Sequence, residues 1–196
     1  MDFLKGEQKG ERITKLNPRQ LIPFITDSDN LVLSESNAIL KYICTKHTSA
    51  VPAHYWPADP KQRALTDQFL EYYQQSFRPA LIAPLRVRIA KGVYGKDFDE
   101  EAWKTTLASL WTQLDVFETL LGKNTGRFVI SDAPSIADLQ IFFEFQNMVY
   151  MRLEWAEKYP KIDKWYKDML TLPNVKTIYD EWLPVSVSVA KTLNDW

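Results

Sequence analysis

The sequence predicts an α+β fold: a small β-hairpin-plus-helix piece, then an all-α domain. Three observations predict it. "IPFIT" (Ile22 to Thr26) and "LVL" (Leu31 to Leu33) are short β-rich runs separated by the turn residues "DSDN". From Ile39 the apolar residues fall at helical spacing instead. Beyond Pro60 the periodic stretches all read as helices.

The first fifteen residues carry charges of mixed sign and two glycines, and "NPRQ" (Asn17 to Gln20) is a turn signal. Pro23 lies inside the first β run, which makes that run an edge or marks a bend. Ile39, Leu40, Ile43 and Cys44 form one helical stripe, closed by Lys46 and His47 near the negative end of the helix dipole. "TSAVPAHYWPADP" holds three prolines and no period, so it reads as a linker. The expected organisation is 1–47, a linker at 48–60, and an all-α domain at 61–196.

Lys61 to Ile89 predicts a long helix that Pro79 and Pro84 kink or break. Trp103, Leu107, Leu110, Leu114, Phe117 and Leu121 step by four, three, four, three and four, one face of a helix predicted to end at Gly122. "SIADLQIFFEFQNMVYM" has little polar face and should be central and buried. "YPKIDKWYKDML" and "PNVKTIYDEW" predict two shorter helices, each opened near a proline.

Composition excludes several classes. A formal net charge of -1 provides no field for nucleic acid or for an anionic membrane. No apolar run reaches the ~18–20 residues of a membrane helix. The one cysteine, Cys44, rules out an intrachain disulfide framework and fits a reducing, cytoplasmic setting. His47 and His54 form no metal-spaced cluster, so no metal is expected. Cys44 and His47 are three apart, but Cys44 lies on the apolar stripe and reads as a buried structural thiol.

Glu35 and Ser36 stand where the helix after the hairpin begins. Two readings of the pair are open. It can be an ordinary helix start, an N-cap and a first-turn acid with no ligand. It can also be a receptor for an α-amino-acid head, Glu35 accepting from an ammonium and Ser36 donating to a carboxylate at the anion-favouring helix end. Pro23 is a candidate cis proline. A bend there would leave the Ile22 N–H and C=O to pair with an extended peptide. Ser135 and Asp138 make an S-x-x-D capping box, read as structural.

Together, "NPRQLIPFITDSDNLVLSESNAILKYI", "YWPADPKQRALTDQFLEY" and "FVISDAPSIADLQIF" resemble the glutathione S-transferase family, its theta-like class in particular. The resemblance implies a thioredoxin-like N-terminal domain and an all-α C-terminal domain that takes a hydrophobic electrophile, expected among apolar residues around Gln75 to Arg86 and in the tail near Trp182 to Trp196. It implies conjugation of glutathione (a co-substrate) in detoxification, and a homodimer. Glutathione would rest on Glu35, Ser36, Leu21, Ile22 and Pro23, with Gln8 and Lys9 near its glycyl end. The family has a His where Gln8 stands. Gln75 falls where the class has an acid reaching across the dimer, and Arg78 matches a class arginine. Against the family pattern, Met1 falls at or just after the second strand, so the first strand, first helix and most of the second strand are expected to be missing. No catalytic residue is assigned. Thr14 is the one hydroxyl within residues 1–16, and the chain as it stands is expected to bind glutathione weakly or undetectably and to conjugate negligibly. The alternative is a non-catalytic module of the same fold that binds a partner protein or an apolar ligand.

Overall fold

A computed structural model describes residues 5–123 and 126–194. The chain divides into two compact units, Met1–Trp56 and Pro57–Trp196.

The first unit opens with a 3-10 turn, Glu7–Lys9, and a short helix α1, Glu11–Leu16. The charged sequence there did not signal a helix. Six residues are too few for an apolar period, and the Lys15–Glu11 pair at 2.8 Å is a surface i,i+4 contact. Strands β1 (Phe24–Thr26) and β2 (Val32–Ser34) pair antiparallel, with Phe24 opposite Ser34 and Thr26 opposite Val32. Asn30, at φ 61, closes the turn by donating its amide to the Asp27 carbonyl at 3.1 Å. Helix α2 (Ser36–Lys46) follows directly.

Asp27 ties the hairpin to the end of α2. Its Oδ2 accepts from the Tyr42 hydroxyl and from Lys46 Nζ, the latter at 2.5 Å. The Lys46 and Tyr42 bonds hold its carboxyl well below the usual carboxylate range. A carboxyl lowered on folding stabilises above its unfolded value and loses that contribution as pH falls. Hairpin-amide protection measured by hydrogen exchange should therefore decline in the wild type as pH drops below about 4. Asp27→Asn should be less protected at neutral pH and lack this decline; an equal decline in both proteins refutes the role.

Ile39 is buried, Cys44 is half-buried and Ile43 is 36% exposed. The expected buried thiol is thus corrected. Two strands offer too small a face to cover the whole stripe of α2. Burial still pushes the Cys44 thiol up from its ordinary value.

In the second unit, α3 (Pro60–Tyr72) starts at Asp59, whose carboxylate accepts from the Gln62 amide at 2.9 Å. A π turn, Tyr73–Phe77, carries it into α4 (Arg78–Arg88). The helix is therefore continuous across both prolines. The widened turn lies immediately ahead of Pro79, whose missing N–H would otherwise break the regular ladder. Next come α5 (Ala90–Tyr94), α6 (Glu100–Lys123), α7 (Ile136–Tyr150), α8 (Pro160–Leu170) and α9 (Pro173–Asn194).

Two predicted ends move. Gly122 sits inside α6 instead of closing it. A Cβ there would meet Lys161 Nζ at 2.5 Å, a flexible side-chain end that can move aside, so the glycine marks neither a stop nor an obligatory close approach. Helix α9 runs on through Pro184 to Asn194. Pro184 is exposed, so water can serve the carbonyl that its ring leaves without a donor.

The core is aromatic and centred on α7. Phe142 and Phe145 are fully buried, and Trp165 of α8 lies edge-on to Phe117 of α6 at 5.2 Å. Phe77 of the π turn packs on Phe117 at 5.1 Å. The edge-to-face pair contributes ~0.5–1.5 kcal/mol beyond its area.

Asp138 organises the start of α7. Its Oδ1 accepts from the Val129 amide at 2.8 Å and the Trp165 indole at 3.0 Å. Its Oδ2 accepts from the Ser135 amide and hydroxyl, both at 2.8 Å. Ser135 Oγ in turn accepts from the Ala137 amide at 3.2 Å, and the box is complete.

Candidate functional site

The first unit's polar features gather where β1 begins and β2 ends. Asn17 is buried; its Nδ2 donates to the Leu21 carbonyl at 2.7 Å, and its Oδ1 accepts from the Arg19 amide at 3.2 Å. The "NPRQ" turn closes with the Gln20 amide on the Asn17 carbonyl at 2.9 Å. These bonds fix the entry to Ile22–Pro23, and that peptide bond is cis. Leu21 and Ile22 are 53% and 40% exposed.

Continuing the strand register beyond Phe24 opposite Ser34 would set Pro23 opposite Glu35 and Ile22 opposite Ser36. Those two positions do not close a ladder. Among the described residues, none takes up the Ile22 amide or carbonyl. An unpaired backbone at an exposed edge is a template for an added extended segment.

Glu35 occupies the N-cap position of α2, but its side chain caps nothing. Its φ of 71 is unusual for a residue with a side chain and costs ~1–3 kcal/mol, which the surrounding contacts offset. This backbone turns the carboxylate out of the helix and onto Arg19, whose Nη1 donates to Oε1. Oε2 remains for another donor. Ser36 is the first residue of α2, next to the dipole's positive end. The ordinary-cap reading of Glu35 is thereby corrected. Arg19 was not legible as its partner, because sixteen residues separate them.

Gln8 and Lys9 lie in the first 3-10 turn, Lys9 exposed and Gln8 with a buried, unpartnered Oε1. The Thr14 hydroxyl is engaged locally, donating toward the Lys9 and Gly10 carbonyls at 3.3 and 3.2 Å. Gln75 and Arg78 belong to the second unit. Gln75 is an exposed residue of the π turn. Arg78 Nε donates to Glu144 Oε2 at 3.2 Å, where the buried Tyr73 hydroxyl also donates at 2.7 Å. Burial and the Glu144 charge push the Tyr73 phenol far above its ordinary value. The predicted apolar segments Gln75 to Arg86 and Trp182 to Trp196 also lie in this unit, and residues 195 and 196 fall outside the described residues. Among the described residues, no group of three or more His, Cys, Asp or Glu could hold a metal ion, and no helix is long and apolar enough to cross a membrane.

Two family models match the two units. "Glutathione S-transferase, N-terminal domain" covers residues 2–46, and "Glutathione S-transferase, C-terminal domain" covers 85–180. Mouse glutathione S-transferase theta-3 is 30% identical over 166 residues, 84% of this chain and 67% of that protein. The chain belongs to the glutathione S-transferase family. A probable glutathione S-transferase of rice, GSTF2, is 30% identical over 183 residues, 91% of this chain and 81% of the rice protein.

Solved transferases share the fold. Human glutathione S-transferase T1-1 in its apo form superposes with a TM-score of 0.82 at 24% identity, covering 100% of this chain and 78% of that one. Human theta-2, in complex with glutathione, reaches 0.86 at 22% identity, covering 99% and 78%. A diazinon-metabolizing silkworm glutathione S-transferase gives 0.75 at 28%, covering 99% and 84%. The transferase is thus theta-like, with a thioredoxin-type hairpin-and-helix piece and an all-α domain.

Proposed function

We propose that this transferase recognises glutathione, its co-substrate, for conjugation to hydrophobic electrophiles. The observation that carries the reading is the unpaired Ile22 backbone before cis Pro23, set in register with Glu35 and Ser36. The cysteinyl part of glutathione pairs with Ile22 as an added strand, shaped by Leu21 and Pro23. The γ-glutamyl ammonium takes the open Glu35 oxygen, and the Ser36 hydroxyl and the α2 terminus receive its carboxylate. Lys9 and Gln8 face the glycyl carboxylate. Gln75 acts across a homodimer, and apolar residues of the all-α unit hold the electrophile, in a cytoplasmic protein.

Activating the sulfur is a separate demand. A free thiol has a pKa of about 8.5, and the thiolate is the nucleophile. None of the residues named here is assigned to that task.

Calorimetric titration tests the reading with glutathione and with the dipeptide Cys-Gly, which lacks the γ-glutamyl head. Charge-assisted bonds to that head are each worth ~1.5–3 kcal/mol. Cys-Gly should therefore bind at least about tenfold more weakly. Equal affinities would remove the head-group receptor.

A further inference from the structure

The end of α6 and the first turn of α8 border a cavity of about 260 Å3 whose lining includes Gly122, Arg127, Lys161, Lys164 and Trp165. Trp165 is buried, whereas the three cations are exposed and stand around the mouth of the same open cleft. The acidic groups around it are accounted for. Asp168 bridges two of the cations, accepting from Arg127 Nη2 at 3.1 Å and Lys164 Nζ at 2.6 Å. Glu118 accepts the Lys161 and Ile162 amides at 3.0 and 2.9 Å, at the start of α8. Asp132 accepts the Arg127 amide at 3.1 Å. Among the described residues, none supplies an acceptor to Lys161 Nζ. That ammonium lies against Gly122, in space a Cβ would fill.

A lysine resting on the last turn of a helix is ordinary on its own, because the dipole favours it there. The cavity beside it is what distinguishes this one. Its volume is below the ~300–1,000 Å3 of sites for drug-sized ligands. It is open to solvent and is lined by one guanidinium, two ammonium groups and the Trp165 ring. We infer that this cavity is a binding site for a small phosphate-class dianion, with Lys161 as the principal counter-charge and Arg127 and Lys164 as flanking donors. The site lies within the all-α unit and is independent of glutathione recognition.

The proposal predicts a pH signature. Phosphate and its monoesters take their second charge near a pKa of about 6. Burial raises the Asp168 carboxyl, but Lys164 and Arg127 outweigh this and hold it below its ordinary value, so it keeps its charge. Affinity for phosphate should rise between about pH 5 and 7, while affinity for sulfate stays level.

Calorimetry on the whole chain, with inorganic phosphate at constant ionic strength, tests it. Saturable millimolar binding is expected, weakened about tenfold in Lys161→Gln through loss of a charged donor. Lys161→Arg, which keeps the charge, should bind phosphate within about threefold of wild type. Glutathione affinity should be unchanged in both variants. Phosphate binding no stronger than chloride binding overturns the site, as does wild-type phosphate affinity in Lys161→Gln.

Discussion

Glu35→Ala should weaken glutathione binding by ~1–3 kcal/mol, about 5- to 150-fold, with little loss of fold stability. The binding loss is large because the ligand ammonium would face no carboxylate. The stability loss is small for two reasons. The Glu35 side chain caps no helix amide, and its partner Arg19 makes an exposed ion pair with it. Exposed pairs contribute ~0–1 kcal/mol. Arg19→Ala is the informative companion. It leaves both Glu35 oxygens in place, so affinity should change by less than about threefold. Glu35→Gly separates backbone from side chain. It relaxes a positive φ, so stability should hold or rise, while affinity falls as in the alanine variant. Calorimetry and urea unfolding on the three proteins give both readings. Unchanged affinity in Glu35→Ala would end the role assigned to this carboxylate.

Asp138→Asn should destabilise the all-α unit by about 2–5 kcal/mol. The wild-type carboxylate accepts four donors: two amides, a hydroxyl and an indole. A carboxamide of the same shape has one acceptor oxygen and adds an NH2 group that meets donors. About two buried donors are left without partners, each costing ~1–3 kcal/mol. Volume is conserved, so no cavity contributes. Ser135→Ala should cost less, about 1 kcal/mol, as for an ordinary cap. Urea unfolding followed by circular dichroism distinguishes the two. If both variants lost the same small amount, Asp138 would be a local cap and nothing more.

Legibility followed sequence separation. Ser135 and Asp138 are three apart, so their box could be read directly from the chain. Trp165 is 27 positions from Asp138, and no pattern announced that the indole joins it. Pro23 could be marked as a candidate cis residue because proline alone makes that isomer common. The deciding surroundings, Asn17 on Leu21 and the unpaired Ile22, are products of folding. The stripe of α6 was legible in Leu110, Leu114 and Phe117, all fully buried. Its end was not, because a helix tolerates a glycine in its last turn and the residue alone does not stop it. The π turn was hidden for a related reason. Tyr73, Phe77 and Leu81 keep a spacing that an α-helix also allows, so periodicity does not reveal one extra residue in the turn.

The placement of the tryptophans has an optical consequence. Of the seven, Trp56 alone belongs to Met1–Trp56, with Lys41 Nζ 5.2 Å from its ring centre. The other six lie in Pro57–Trp196. Trp56→Phe would yield a protein whose tryptophan emission arises from the all-α unit alone. Its spectrum subtracted from that of the wild type would isolate the smaller unit. Melting of the two units, and quenching by ligands of either, could then be followed in one cuvette without an attached dye.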